Sequence, residues 1–248
     1  MSYCLTETRV HWPNSMDDEY NYWSERPSPP PASAPALTVE IIEGVEPLNT
    51  QFGEPKPPTV PVALQGAMFG QSAPKEGEEA ADATNVVGVP PLHTYAILDA
   101  AKLTNLPEML ETSGLPHRCL FKGAAYNELK EVAPWIVRLE DGHAFTRNIF
   151  TTSDAPWHLW KKDPAIFLRS PKPLEYVHRH LRKFTQLRTE TGHLEYFRFW
   201  ESSVLDYIAF FEGEDLGCSL FPDMIIIWQT RHYSRGPRFV KIQTRTKQ

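Results

Sequence analysis

The chain has 248 residues and a formal net charge of −6 at pH 7, with its charge unevenly divided. Residues 1–91 hold 14 of the 23 prolines and 13 acidic against 4 basic residues, net −9, and residues 92–248 carry 18 acidic against 21 basic, net +3. No stretch approaches the ~18–20 apolar residues of a membrane span and no basic start leads into an apolar run, which excludes a membrane partner and points to a soluble, cytoplasmic protein. Cys4, Cys119 and Cys218 are far apart with no C-x-x-C pair, so neither a disulfide framework nor a zinc site is expected, and a reducing compartment fits.

The acidic arm, residues 1–91, opens with an aromatic and acidic cluster, Trp12, Asp17, Asp18, Glu19, Tyr20, Tyr22 and Trp23, before Pro-Ser-Pro-Pro-Pro at 27–31. Proline removes amide donors and fixes φ, so the run reads as an extended linker. Thr38–Glu43 alternates just enough for one isolated strand, and further prolines at 47, 55, 57, 58 and 61 interrupt the chain again. So little apolar surface cannot offset chain entropy, and the arm is expected to be largely irregular, disordered or loosely docked. Its functional reading is a linear partner motif formed by Trp12, Tyr20, Tyr22 and Trp23.

From Leu92 the texture changes to short apolar runs alternating with helical patterns, which predicts an α/β (or α+β) domain over 92–215 with a mixed sheet and crossover helices. The expected elements are a strand at His93–Asp99, a helix at Leu106–Ser113 with Pro107 early and Gly114 just past its end, and a strand at His117–Phe121. A helix follows over Tyr126–Val132, stopping before Pro134, then a strand at Trp135–Leu139 closed by Asp141-Gly142, and a helix at Ala144–Thr151. Ala165–Leu168 is apolar on consecutive positions, as in a strand covered on both faces. Leu174, Val177, Leu181 and Phe184 mark an amphipathic helix whose other face carries Arg179, Arg182 and Lys183. A turn at 189–192 leads into an aromatic strand over Leu194–Trp200, and Val204–Phe211 reads as helix or loop. Residues 216–248 form a basic C-terminal hairpin extension, with strands at Met224–Trp228 and Phe239–Ile242.

The search for chemistry finds no G-x-S-x-G, G-x-x-x-x-G-K-[ST], H-E-x-x-H or G-x-G-x-x-G. His178 and His180, two apart on a helix, point roughly 200° apart and cannot share an ion, so one histidine is expected against the sheet and the other on the basic surface. Cys119 reads as a small buried thiol in a strand. Glu195 and Glu201 lie too far apart along a strand for paired-carboxylate chemistry and read as partners of Arg198 or the helix arginines. No catalytic, cofactor or metal residue is assigned. The basic tail over residues 225–248, with Arg231, Arg235, Arg238, Lys241, Arg245 and Lys247 and no acid, has three readings: an edge hairpin protected by charge, a surface for acidic protein or for the chain's own arm, and a nucleic-acid contact, against which the overall negative charge counts.

Six segments in order carry a resemblance. They are Thr94–Ala101, Arg118–Gly123, Val132–Leu139, Ile166–Pro171, His178–Phe184 and Tyr196–Trp200. Together they resemble the adaptor-chaperone domain of bacterial type VI secretion, long catalogued as a domain of unknown function, over about residues 93–212. The resemblance implies a non-enzymatic cytoplasmic protein, without cofactor, that binds a toxic effector and helps to load it onto the valine-glycine-repeat spike protein (VgrG). Family members usually continue into a sizeable C-terminal lobe that holds cargo; here about 36 residues follow, and a long arm precedes. An adaptor needs apolar and aromatic groups ringed by orienting charges. The candidate partner-binding residues are therefore Tyr196, Arg198, Phe199 and Trp200, the helix face Arg179, Arg182 and Lys183, and the tail residues Arg231, Arg235 and Arg238. For the aromatics the alternative is core and hairpin packing, and for the helix face a solvated surface. A small-substrate enzyme and a nucleic-acid-binding module remain the competing functions.

Overall fold

The computed structural model describes residues 37–49, 57–71, 90–163, 165–189, 191–211, 213–230 and 238–245. Its centre is a seven-stranded sheet. The strands are β1 (Leu37–Ile42), β2 (His93–Asp99), β3 (His117–Cys119), β4 (Pro134–Leu139), β5 (Ala165–Ser170), β8 (Ile225–Thr230) and β9 (Arg238–Thr244), in the spatial order β1-β9-β8-β5-β2-β4-β3. A separate two-stranded hairpin pairs β6 (Gln186–Arg188) with β7 (Leu194–Tyr196). The helices are α1 (Val62–Phe69), α2 (Leu106–Ser113), α3 (Gly123–Leu129), α4 (Ala144–Phe150), α5 (Leu174–Leu181), α6 (Ser202–Phe210) and α7 (Glu214–Leu220).

The predicted α/β (or α+β) class holds. Every pairing within the large sheet is antiparallel, so the architecture is the α+β form rather than a mixed sheet. The predicted C-terminal hairpin is present as β8 and β9, registered from Ile225↔Gln243 to Thr230↔Arg238. It does not stand apart, because β8 pairs with β5 and carries the sheet onward.

Helices cover both faces of the sheet, which explains why its central strands are apolar on consecutive positions. On one face Ala96, Leu98, Val137, Phe167, Ile227 and Phe239 pack with Leu64 and Met68 of α1, Leu106 and Leu110 of α2, and Phe145, Ile149 and Phe150 of α4. On the other, Tyr95, Ile97, Ile136, Leu168, Ile226, Trp228 and Ile242 pack with Leu174, Val177 and Leu181 of α5, Leu205 and Ile208 of α6, and Leu220 of α7.

Two segments of the arm depart from expectation. Residues 37–49 and 57–71 are ordered parts of this body, not loosely docked chain. Val45, Val60, Leu64 and Met68 are all at most 2% exposed, and polar ties reinforce them: Arg147 Nη1 donates to Pro58 O at 2.5 Å and Nη2 to Asn49 O at 2.9 Å, and Gly142 N donates to Thr59 Oγ1 at 2.7 Å. The strand read at Thr38–Glu43 exists as β1 but is not isolated, since it pairs with β9 from Leu37↔Thr244 to Ile42↔Phe239. These segments could not form a core alone; they borrow one from the sheet.

The aromatic strand read over Leu194–Trp200 is shorter than predicted. It ends at Tyr196. Phe197 N donates to Thr185 O as a last rung in the hairpin register, and Glu201 N then donates to Arg198 O in a turn that bends the chain. The bend brings the neighbouring Phe199 and Trp200 into the core together, where a strand would send one of them outward.

Candidate functional site

At the β3 edge, the chain leaving Cys119 passes through Leu120 and Phe121 into α3, while α5 and the following 3₁₀ turn, Arg182–Phe184, descend beside it toward β6. The two runs enclose a groove of about 350 Å³ lined by Leu120, Phe121, Lys122, Ala125, Arg179, Arg182, Lys183, Thr185 and Gln186. Four of these nine residues are cationic and none is acidic. Among the described residues no carboxylate forms an ion pair with Lys122, Arg179, Arg182 or Lys183. The α5 spacing causes this. Leu174, Val177 and Leu181 are held under the sheet, so the intervening Arg179, with Arg182 and Lys183 just beyond, must point away from it.

The apolar part of the groove continues onto the β6–β7 hairpin. Tyr196 packs on Phe121 with ring centroids 5.1 Å apart, and Leu194, two positions earlier and so on the same face of the strand, is 59% exposed. Cations and an accessible apolar strip therefore adjoin.

The predicted site residues divide sharply. Arg179, Arg182, Lys183 and Tyr196 converge on the groove. Phe199 and Trp200 are buried core residues, which is their packing alternative. Arg198 is held within the molecule: its Nη2 lies 2.6 Å from Asp99 Oδ2, a carboxylate only 1% exposed, and its Nε donates to Glu201 Oε1 at 2.9 Å, as expected for Glu201. Arg238 is on β9, next to the edge strand β1 at the far side of the sheet, 3.1 Å from Glu43, while Lys241 lies 2.7 Å from Glu40. Part of the basic tail thus meets the chain's own arm. Arg231, Arg235 and the arm residues Trp12, Tyr20, Tyr22 and Trp23 lie outside the described residues.

Sequence reasoning missed Lys122 and the Leu120–Ala125 wall, because nothing local to that segment signals that α5 will face it. It also missed Arg169, which is 3% exposed on β5 and donates Nη1 to Ala67 O at 3.2 Å, with Nε and Nη2 unpartnered. Burial lowers its pKa.

The two helix histidines are both structural anchors, and neither occupies the basic surface in the way expected for one of them. His178 Nε2–H donates to Cys119 O at 2.9 Å, and His180 Nε2–H to Leu220 O at 3.0 Å. They hold α5 to β3 and to α7. Burial lowers both pKa values from the ordinary 6.5, with Arg182 and Arg118 adding to the effect at His178 and Lys183 at His180. The unfolded chain takes up these protons as pH falls through 6.5 while the folded rings stay neutral, so stability is full above that pH and declines below it until the folded-state values are reached. Urea midpoints should therefore drop between about pH 7 and about pH 5, and His178→Gln/His180→Gln, which keeps a donor at each carbonyl, should flatten that slope. An equally steep slope in the double variant would assign the pH dependence elsewhere.

Cys119 is pushed up to about 11 by burial, so no thiolate is available near neutrality. The small polar cavity where Asp99, Lys102 and Asp163 meet measures about 10 Å³, room for roughly one water.

The fold and groove together define an antiparallel α+β domain carrying a basic, aromatic-edged groove. Residues 94–213 match a family described as Domain of unknown function (DUF4123), just under half of the chain. No curated protein and no solved structure matches. The matched segment supplies β2 to β7 and α2 to α6; β1, β8 and β9, three of the seven strands of the large sheet, lie outside it.

Proposed function

We propose that the chain is a non-enzymatic adaptor-chaperone that binds a type VI secretion effector and promotes its loading onto the VgrG spike. The observation that carries the docking role is the groove, with cations that no carboxylate pairs among the described residues beside an accessible aromatic strip, which is the composition that recognises a protein surface. The secretion context is supported by the six ordered segments that resemble the type VI adaptors, since all of them fall within or touch the family-matched residues. The reading as a small-substrate enzyme gains nothing from the cavity where Asp99, Lys102 and Asp163 meet, because it is water-sized.

The test is co-purification of the full chain, and of residues 37–248, from a type VI-competent bacterial lysate, with mass spectrometry of what is retained. A spike protein or a large toxin in the eluate is the expected result. Neither, from a lysate shown to contain both, would end the adaptor reading. A difference between the two chains would reveal the contribution of Trp12, Tyr20, Tyr22 and Trp23.

A further inference from the structure

We infer that the basic groove receives an acidic segment of a partner polypeptide in which carboxylates neighbour an aromatic or aliphatic side chain. This rests on the docking reading above and names the chemistry of what docks. Lys122 reaches the groove from one wall, and Arg179, Arg182 and Lys183 from the other, with no carboxylate between them among the described residues. Like charges gathered without a counter-charge repel one another, so an incoming carboxylate is attracted to all four and relieves that repulsion. Phe121 and Ala125, both partly exposed, offer apolar contact between the cations, and Tyr196 and Leu194 extend it along the rim. A partner bearing charge alone would leave that strip uncovered; one bearing apolar groups alone would leave the cations unpaired.

The same cations could attract nucleic acid, but the geometry favours peptide. Binders of single-stranded nucleic acid expose flat aromatic faces on which bases stack. Here Phe121 is the one aromatic among the residues lining the groove, and Tyr196 packs against it with ring centroids 5.1 Å apart, so successive bases would meet no series of open ring faces.

The test uses the full chain and fluorescence anisotropy with three labelled probes of equal length. One is a synthetic peptide of Asp and Glu with a central Phe, the second its Asn and Gln counterpart, and the third a single-stranded RNA. The acidic peptide should bind about tenfold or more tightly than the neutral one, with affinity falling as salt rises. Charge reversal by Arg179→Glu/Arg182→Glu/Lys183→Glu should lose that advantage. Neutralisation by Arg179→Gln/Arg182→Gln/Lys183→Gln should lose most of it, which keeps the test decisive if the reversed protein does not fold. Equal binding of both peptides, tighter binding of the RNA, or unchanged affinity in the neutralised variant would overturn the proposal. A neutralised variant that still co-purifies a toxin or spike as well as the parent would overturn the groove as the docking surface while leaving the adaptor reading intact. Peptide binding at the groove with no spike or toxin co-purified would do the reverse.

Discussion

Removing residues 1–91 should unfold the protein, whereas removing only residues 1–36 should leave it folded. The longer deletion takes away Val45, Val60, Leu64 and Met68, four side chains almost wholly buried in the first core layer. At about 1.5–3 kcal/mol for each buried side chain, the loss is comparable to the ~5–15 kcal/mol that holds a typical domain together. It also withdraws the Ala67 carbonyl that accepts from buried Arg169, and the Met68 carbonyl that accepts from Thr94 Oγ1. A guanidinium with all its donors unmet would then sit against bare sheet. Circular dichroism melting of residues 37–248 and 92–248 beside the full chain measures this directly. A cooperative transition in residues 92–248 near that of the full chain would show that the arm's buried residues contribute little.

Arg198→Ala should cost about 2–3 kcal/mol. Breaking a buried ion pair costs about 3–5 kcal/mol by stranding one charge, and the value is lowered here because water reaches the arginine partner. Arg198 is 42% exposed whereas Asp99 is 1% exposed, so the stranded group would be the carboxylate, left with the Ala101 N–H at 3.0 Å. Asp99→Asn keeps that acceptor and removes the charge, so Asp99→Asn/Arg198→Ala should be more stable than Arg198→Ala alone. Denaturant melts of the three variants close the cycle. A double variant less stable than Arg198→Ala would show that the pair is not coupled in this way. Arg198 sits among the residues first considered for partner contact, and a loss of binding in Arg198→Ala is interpretable only beside this stability measurement.

The elements most legible in the sequence are those with chemical punctuation at both ends. Leu106–Ser113 is found at its observed bounds because Pro107 starts it and Gly114, at φ 71°, ends it. His93–Asp99 is likewise found at its observed limits. The arm was misread for a physical reason: its buried side chains are single apolar residues scattered among prolines, and their burial depends on a sheet formed far along the chain. The hairpin itself is present, but the extent of its aromatic strand was misread, because runs of aromatics look like a strand whether they face two ways or lie together in a bend. Half of the groove was visible as the charged face of α5. The other half was not, since the placing of Phe121 and Arg179 along one groove is set by tertiary packing of segments whose sequences carry no mutual signal.

The pairing of β1 with β9 also bears on how the molecule is made. Glu40 and Lys241, ion-paired across those two strands, are 201 positions apart in the chain. During synthesis the early strand emerges long before its neighbour exists, and its one sheet contact among the described strands must wait for residues 238–244. So distant a contact makes for slow folding, and for an interval in which an unpaired apolar strand is exposed to other chains. A protein read as escorting others should itself pass through a stage at which it needs an escort.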